Sequence, residues 1–353
     1  MFLALKEMGY EKLRYSLIVI VISLISFLIF ILSALALGLA NGNTAAIDSW
    51  ETKSALMNKD SNGNMGQSLL TKEQVDSLNH NRDTAVVGVT PTNIKYNDGS
   101  ESQSVQFIGL QPSQYIFKNL VLSSGTKPIN SDQVMVSDKL TTLKLGTKIK
   151  IGLDNKVYTI VGKVRNAQYN MASVVYGDIR NWFTIKGVGE NYSASGFISK
   201  RTNALNVKDS TLVSYSKKEY LNKLPGYAAQ NNTFLFMIIF LVLISLVIIT
   251  IFLYILTIQK LPSLSVLRAQ GIPSAYLIKN TFSEAALILS ISISLGLLVT
   301  VLISFVIPST VPMYFDIGLI TGVASGILVT GLIGAIIPMR IISKIDPVTA
   351  IGG

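Results

Sequence analysis

The hydrophobic pattern of this chain divides it into a first apolar run, one long polar region and a second apolar region. Residues 16–40 contain no charged side chain. As a helix rising 1.5 Å per residue they would extend about 37 Å, enough for a tilted membrane span. Similar apolar runs cover residues 231–258, 281–307 and 316–339. The pattern predicts four transmembrane helices, one near the N-terminus and three near the C-terminus.

A secretory signal peptide is the alternative interpretation of the first apolar run, because a basic flank and small residues are both present. The apolar core of a signal peptide has only about 7–15 residues. Residues 16–40 are much longer, which favours a retained membrane helix.

The segment before the first span mixes apolar and charged positions. Phe2, Leu5, Met8 and Leu13 recur near helical spacing, with charged residues between them. Residues 1–15 are therefore either an amphipathic helix on the cytoplasmic membrane surface or the charged flank of the first span.

The polar region, residues 41–230, has the turn and strand patterns of a folded α/β domain. Thr71 and Gln74 stand at capping-box spacing and predict a short helix at residues 70–78. Further strands are expected at residues 103–110, 133–137, 148–152, 157–164 and 172–176, and a further helix at residues 216–224. The turn at Asp154-Asn155 predicts that strands 148–152 and 157–164 form a hairpin. The fold class is therefore four transmembrane helices plus an extracytoplasmic mixed α/β domain.

Basic residues indicate the orientation in the membrane. The segment 259–280 contains Lys260, Arg268 and Lys279, whereas the turn 307–316 contains no Lys or Arg. Cytoplasmic loops carry the excess of Lys and Arg. We therefore expect segment 259–280 and both termini, including the tail 340–353, to be cytoplasmic and the α/β domain to lie outside.

Composition supports a membrane protein and excludes several kinds of chemistry. The 353 residues are 49% hydrophobic and only 14% charged, with a net charge of +10. Cysteine is absent and His80 is the only histidine, so Cys nucleophiles, thiolate or histidine metal sites and His-based hydrolase dyads are excluded. No phosphate-binding GxxxxGK[ST] loop is present. We expect a non-enzymatic chain without an intrinsic cofactor, metal or nucleic-acid partner.

Two features of the second apolar region are candidates for a role in helix packing or in function. Gly318, Gly322 and Gly326 recur every four residues, and such small residues let helices approach closely, either within the chain or between two copies. Glu284 lies inside the third span, where ionisable groups are often functional. It either pairs with Lys260 or Lys279, or lies at headgroup depth and stays hydrated.

The segment between the second and third spans predicts a short amphipathic helix. Leu261, Leu264 and Leu267 recur at helical spacing beside Arg268, and Gly271 is a helix stop. Such a helix either lies on the membrane surface or docks in the groove of a soluble partner.

The chain resembles the FtsX/MacB-type permeases of ABC transporters over essentially its whole length. The resemblance is carried by the order of spans and domain, TIQK at 257–260, LRAQGIPSAYL at 267–277 and the tail IDPVTAIGG at 345–353, where Thr349 replaces the family's usual acid. It implies a homodimer in the bacterial plasma membrane, working with two copies of a separate ATPase that binds ATP and Mg. It also implies that segment 259–280 contains the coupling helix and that a mechanotransmission-type motion drives the transporter.

Within this family the chain is most similar to the haem exporters of Gram-positive bacteria. That resemblance implies haem as the substrate and carries over Tyr169 and Tyr227 as candidate haem ligands, because tyrosine can ligate haem iron. Arg165 would pair with a propionate, and Met171 lies two residues after Tyr169 in the sequence. Alternatively, Tyr169 is an ordinary core or surface aromatic residue and Tyr227 an anchor at the membrane interface.

Two other functions stay open from the sequence. One is efflux of a hydrophobic or antimicrobial peptide or of a drug. The other is transmembrane activation of a cell-wall hydrolase without transport. The basic character of the outer domain favours an anionic over a cationic substrate.

Overall fold

The computed structural model describes residues 9–78, 82–96, 102–202, 209–308 and 311–343. It contains two compact units: a membrane unit of residues 1–38 and 232–353, and an α/β unit of residues 39–231. Residues 1–8 of the predicted amphipathic segment, His80 and residues 344–353 of the tail lie outside the described residues.

The helices are α1 (Lys12–Ser49), α2 (Lys72–Ser77), α3 (Tyr115–Asn119), α4 (Trp182–Lys186), α5 (Lys217–Lys223), α6 (Tyr227–Ala269), α7 (Ser274–Ser304), α8 (Ile317–Gly334) and α9 (Ile336–Ser343). The strands are β1 (Ser54–Asn58), β2 (Leu70–Thr71), β3 (Thr84–Tyr96), β4 (Ser102–Leu110), β5 (Leu122–Gly125), β6 (Gln133–Ser137), β7 (Lys148–Ile151), β8 (Val157–Val164), β9 (Gln168–Tyr169), β10 (Ala172–Asp178), β11 (Tyr192–Ala194), β12 (Gly196–Ser199) and β13 (Leu212–Ser216). Short 3₁₀ turns cover Lys59–Ser61 and Ile179–Asn181.

Four helical segments are long and apolar enough to cross a membrane: α1, α6, α7 and the stretch Ile317–Ser343 that contains α8 and α9. The fold class predicted from the sequence is confirmed. The helix bounds differ most from the apolar runs at the end of α1 and at the end of α6, because packing extends a helix where hydropathy alone does not mark it.

The first difference is at the end of α1. Its apolar run ends at residue 40, but the helix continues to Ser49. Ala45, Ala46 and Ile47 are fully or almost fully buried in the core of the α/β unit, so this polar-looking segment is held helical by tertiary contacts.

The second difference concerns the predicted loop at residues 259–280. Instead of a separate short helix, residues up to Ala269 continue α6 without a break, with Pro262 inside the helix. The helix ends at Ala269, and the predicted stop residue Gly271 follows it in the left-handed conformation, with φ +90°. The Ile272 N–H donates to the Leu267 carbonyl oxygen at 3.2 Å, a C-terminal capping bond.

The larger apolar core of the membrane unit is formed by all four spans. Ile22 of α1, Ile249 of α6, Ile288 of α7 and Ile327 of α8 belong to it. Close approach between α1 and α7 occurs at Gly296, where an added Cβ would lie 2.8 Å from the Ser23 carbonyl oxygen. No β-carbon fits there unless the helices separate.

The α/β unit is built on an eleven-stranded mixed sheet in the described residues. Nine strands follow the order β13-β1-β12-β3-β4-β10-β6-β8-β5, β7 pairs with β3 and β8, and β9 pairs with β10. β10 runs parallel to β4, and β6 parallel to β8. Alternate side chains point to opposite faces, so Val87 and Ile108 join one apolar cluster while Val86 and Phe107 join the other. Both faces of the central strands are therefore buried.

The local sequence signals in this unit predict the structure correctly. β7 and β8 form the expected antiparallel hairpin. Thr71 and Gln74 form the expected capping box at the start of α2. Ser216 and Glu219 form a second capping box, which begins α5 and orients its buried residue Tyr220.

Candidate functional site

Tyr169 lies in the core of the α/β unit. Its side chain is 3% exposed, and its hydroxyl oxygen is 2.8 Å from that of Tyr220, which is fully buried. The Trp50 ring stacks on the Tyr169 ring with centroids 6.1 Å apart. The Tyr220 hydroxyl also lies 3.7 Å from the Met65 sulfur. These contacts hold Tyr169 in one orientation.

Burial raises the pKa of the Tyr169 hydroxyl to about 12, and the hydrogen bond with Tyr220 opposes that shift. The Tyr220 pKa is also raised, first by burial and then by the neighbouring Tyr169. A neutral phenol is the stable form of Tyr169 in this state. For Tyr169 to ligate iron as a phenolate, it has to lose its proton and leave the hydrogen bond with Tyr220.

A tight turn places Met171 directly after Tyr169. Ala172 of β10 pairs with Tyr169 of β9, and Asn170 and Met171 between them have φ +48° and +66°. Two successive left-handed residues are typical of a type I′ hairpin turn, in which Asn is favoured and Met is strained. The Met171 N–H donates to the Gly42 carbonyl oxygen at 3.0 Å. The Met171 side chain is 39% exposed, so it is accessible to a ligand.

The other two predicted haem contacts have different surroundings. Tyr227, the first residue of α6, is half-buried and packs against the core cluster that contains Tyr169. Arg165 is exposed, and its backbone N–H donates to the Val121 carbonyl oxygen at 3.0 Å. The structure therefore brings the two tyrosines to one cluster and leaves the guanidinium of Arg165 on the surface.

The predicted coupling residues do not all face outwards. Leu264 is buried against Leu277 and Ile342, and Leu267 packs against the same cluster. Leu261 is half-buried. Leu264 and Leu267 therefore fasten the end of α6 to other helices of the same chain. They do not form a free apolar face.

The exposed side of this segment consists of other residues. Val266 is 53% exposed, and Ala269, Gln270 and Gly271 are also exposed. The predicted coupling residue Arg268 is half-buried, and its guanidinium donates to the Ile272 carbonyl oxygen at 3.2 Å. This contact supports the turn after α6.

The predicted glycine stripe does not pack within the described chain. A Cβ added at Gly322 or Gly326 would meet no described atom within 4 Å, and one added at Gly318 would meet only Asp316. The glycines that do pack are Gly331, against Leu289, and Gly334, against Thr250. The described residues therefore show no packing of the stripe within the chain, and its packing between two copies stays a prediction.

Glu284 has a different environment from the hydrated one considered from the sequence. It is 2% exposed, and one of its carboxylate oxygens accepts a hydrogen bond from Lys260 Nζ at 2.7 Å. The same oxygen accepts a hydrogen bond from the Tyr15 hydroxyl. The Lys260 ammonium lies 5.4 Å from the centroid of the Tyr15 ring. Pairing with Lys260 is confirmed, and hydration at headgroup depth is wrong.

The sequence analysis did not identify Tyr15 and Tyr220, which hydrogen-bond to Glu284 and Tyr169 respectively. Tyr15 is 269 residues from Glu284 in the chain, so no local pattern indicates their contact. Tyr220 follows the capping-box residue Glu219, which is a signal for the helix but not for the hydroxyl contact. Among the described residues, no group of three or more His, Cys, Asp and Glu could hold a metal ion.

Comparison with known proteins gives matches to permeases. Residues 235–347 match the family described as "FtsX-like permease C-terminal". The chain is 27% identical over 360 residues to the "hemin transport system permease protein HrtB" of Staphylococcus epidermidis, covering 99% of both chains. It is 26% identical over 359 residues to the protein of the same name from Staphylococcus haemolyticus, again covering 99% of both.

Two solved structures show weaker likeness. The extracellular domain of the ABC-type transporter YknZ from Gram-positive bacteria is 15% identical, with a TM-score of 0.32 over 43% of this chain and 83% of that one. A domain of a permease protein from Porphyromonas gingivalis is 10% identical, with a TM-score of 0.30 over 46% and 78%. The sequence comparisons therefore show that residues 235–347 are similar to the FtsX-like permease C-terminal family, and that the whole chain is similar to proteins named hemin transport system permease protein HrtB.

Proposed function

We propose that this chain is the membrane permease subunit of an ABC-type exporter of haem, driven by a separate ATPase subunit. The observation that carries the proposal is the similarity to hemin transport permeases over 99% of both chains. It includes the α/β unit, so it covers more than the C-terminal spans matched by the FtsX-like family at residues 235–347.

The lack of a phosphate-binding loop in the sequence supports a separate ATPase. The ATPase would bind the surface formed by Val266, Ala269, Gln270 and Gly271, which we call the docking surface. Leu264 and Leu267 on the opposite side of α6 hold this surface in place by packing on Leu277 and Ile342 within the membrane unit. Because Leu264 and Leu267 pack inside the chain, the partner would contact the uncharged residues of the docking surface.

The distribution of basic residues supports the orientation with this docking surface in the cytoplasm of a bacterium and the α/β unit outside. ATP and Mg would bind to the ATPase. Closure of two ATPase copies on a permease homodimer would displace the ends of both α6 helices. Displacement of the spans would then move the α/β units and release the substrate outside.

Haem would contact the chain through Tyr169, Tyr227, Arg165 and Met171. A tyrosine phenolate is a known ligand of ferric haem. Met171 is exposed at the turn that follows Tyr169, and exposed Arg165 is free to approach a propionate. Tyr169 is buried in the structure, so haem binding through it requires the β9–β10 turn to open and its hydrogen bond with Tyr220 to break.

A haem titration followed by absorbance tests this proposal. The purified chain is compared with Tyr169→Phe, Tyr227→Phe and the double variant. Tyr176→Phe is the matched control, because Tyr176 lies in the same core and its buried hydroxyl accepts a hydrogen bond from Trp50 at 3.2 Å. We expect saturable binding with the spectrum of a tyrosine-ligated ferric haem, weakened in both candidate variants and unchanged in the control.

The other outcomes separate the ligands from the substrate. Saturable binding that is indifferent to both changes would exclude these tyrosines as ligands but keep haem as the substrate. Absence of saturable binding would contradict haem export and favour efflux of a peptide or drug. An assay of haem transfer out of loaded vesicles, with the ATPase present, then tests the direction of transport.

A further inference from the structure

One buried carboxylate joins three of the four membrane helices. Glu284 belongs to α7, Lys260 to α6 and Tyr15 to α1, and both of the latter side chains donate hydrogen bonds to the same oxygen of Glu284. The ammonium of Lys260 also lies over the Tyr15 ring. Each member of this polar cluster therefore contacts the other two.

The cluster is not needed merely to fill space. A buried ion pair loses hydration energy, and replacing it with apolar residues of similar size is often neutral or stabilising. Buried polar pairs can instead fix one arrangement of helices relative to another. Glu284 is the only acidic residue of α7, and α6 contains none, so this carboxylate has no acidic substitute in either helix.

The position of Lys260 connects this cluster to the docking surface. Lys260 lies in α6 six residues before Val266, and Pro262 stands between them. Proline has no N–H to donate to the carbonyl four residues earlier, but α6 continues through Pro262 without a break, so the docking surface and Lys260 are joined by one helix. Beyond Pro262, Leu264 and Leu267 contact α7 and α9. A displacement of the docking surface along α6 would therefore reach Lys260, whose ammonium group is ion-paired with Glu284 of α7.

We propose that Tyr15, Lys260 and Glu284 are positioning residues that transmit displacement of the docking surface from α6 to α7 and α1. The inference rests on the proposed ATP-driven function and adds the residues that couple it to the helices. The cluster moves as one body because its three groups share one carboxylate oxygen. When the end of α6 is displaced, Lys260 carries Glu284 and Tyr15 with it, and α1 changes its distance from α8, which has no member in the cluster.

Spin-label distance measurements test this without any exported substrate. Because the chain has no cysteine, Leu24→Cys in α1 and Val329→Cys in α8 provide two unique labelling sites, 57% and 55% exposed. The full-length permease is reconstituted with its ATPase, and the distance between the labels is measured without nucleotide and after trapping with ATP and vanadate. In this double-cysteine chain, which is the parent of the variants below, we expect trapping with ATP and vanadate to change the distance between the labels.

Three variants are compared in this background. Lys260→Met/Glu284→Leu removes both charges and keeps an apolar volume, so folding is expected to be retained. Tyr15→Phe removes only the hydroxyl, leaves the ion pair in place and decides the question if the double variant does not fold. Lys279→Met is the control, because Lys279 is an exposed residue of α7 that lies five positions before Glu284.

In the double variant and in Tyr15→Phe we expect the trapped distance to remain at its nucleotide-free value while ATP hydrolysis continues. The amount of haem exported per ATP should fall about tenfold or more, as expected for loss of a coupling free energy of ordinary size. Lys279→Met should behave like the parent. Parental distance changes in both cluster variants, or no change in the parent itself, would overturn the inference. A parent whose labels move but which exports no haem would contradict the proposed substrate and leave the cluster's role intact.

Discussion

Lys260 Nζ lies 2.7 Å from a carboxylate oxygen of Glu284, and the Lys260 and Glu284 side chains are only 14% and 2% exposed. Two oppositely charged groups in such a site stabilise each other, whereas either one alone is a buried charge without a counter-ion. Removing one partner of a buried pair typically costs about 3–5 kcal/mol. Replacing both partners with apolar residues avoids that cost.

We therefore expect Lys260→Met to lower the thermal unfolding temperature of the permease in detergent markedly, and Lys260→Met/Glu284→Leu to recover most of the loss. Lys279→Met removes an exposed lysine from the same region and should leave the unfolding temperature unchanged. If the single and double variants unfold at the same temperature, the pair contributes no coupling energy, and the buried arrangement of Glu284 would be contradicted.

If Tyr169 ligates haem iron, the affinity for haem should depend on pH, because the hydroxyl group of Tyr169 must lose its proton. Because burial raises its pKa to about 12, the free protein keeps this phenol protonated at pH 7–9. Ligation as phenolate releases one proton, so the observed affinity should rise about tenfold for each pH unit in this range. The rise is expected to stop only near the folded-state pKa.

The measurement is a haem titration at several pH values on the parent and on Tyr169→Phe. The difference in slope between the two proteins isolates the proton released by Tyr169, since haem's own acid–base reactions are common to both. Equal slopes would show that Tyr169 does not ligate iron as a phenolate.

Features that depend on neighbouring residues in the chain can be predicted from this sequence. The Thr71–Gln74 capping box and the β7–β8 hairpin need only local hydrogen bonds and turn geometry, and both form as expected. Long apolar runs likewise predict the four helical segments that are long and apolar enough to cross a membrane. In each case the residues that decide the structure lie within one element or one turn.

Features that depend on distant residues could not be predicted in the same way. The hydrogen bond from Tyr15 to Glu284 joins groups 269 residues apart, and no periodicity relates them. The direction of Leu264 was equally undetermined, because an amphipathic helix has the same pattern whether its apolar side meets a partner or its own chain. Here Leu277 and Ile342 cover it.

Two glycines in the spans should respond oppositely to an added methyl group, because only one of them touches a neighbouring helix. An added Cβ at Gly296 would lie 2.8 Å from the Ser23 carbonyl oxygen and 3.0 Å from the Phe27 nitrogen, both backbone atoms of α1. Gly296→Ala should therefore destabilise the membrane unit by about 1–3 kcal/mol through overpacking. Gly322→Ala meets no described atom within 4 Å and should gain up to about 1 kcal/mol of helix propensity.

Both variants are measured by thermal unfolding in the same detergent, together with the oligomeric state by native mass spectrometry. A lower unfolding temperature for Gly296→Ala and a parental or higher one for Gly322→Ala are expected. If Gly322→Ala instead dissociates a dimer, the predicted glycine stripe is a contact between two copies. A stable Gly296→Ala would contradict the close approach of α1 and α7.

The two sides of the end of α6 should respond differently to substitution. Val266 is 53% exposed, so Val266→Arg adds a charge on the docking surface without disturbing the core. Leu264 is 9% exposed and packs against Leu277 and Ile342, so Leu264→Ala creates a cavity that should cost about 2–5 kcal/mol.

Val266→Arg should keep the unfolding temperature of the parent while losing co-purification with the ATPase and the ATP-driven distance change. Leu264→Ala should lower the unfolding temperature, yet the ATPase should still bind to the fraction that remains folded, because the exposed side is unaltered. The measurements are unfolding temperature and ATPase co-purification on the same preparations. The reverse result, with Leu264→Ala abolishing binding at full stability, would mean that the leucine side of α6 faces the partner and would contradict its packing on Leu277 and Ile342.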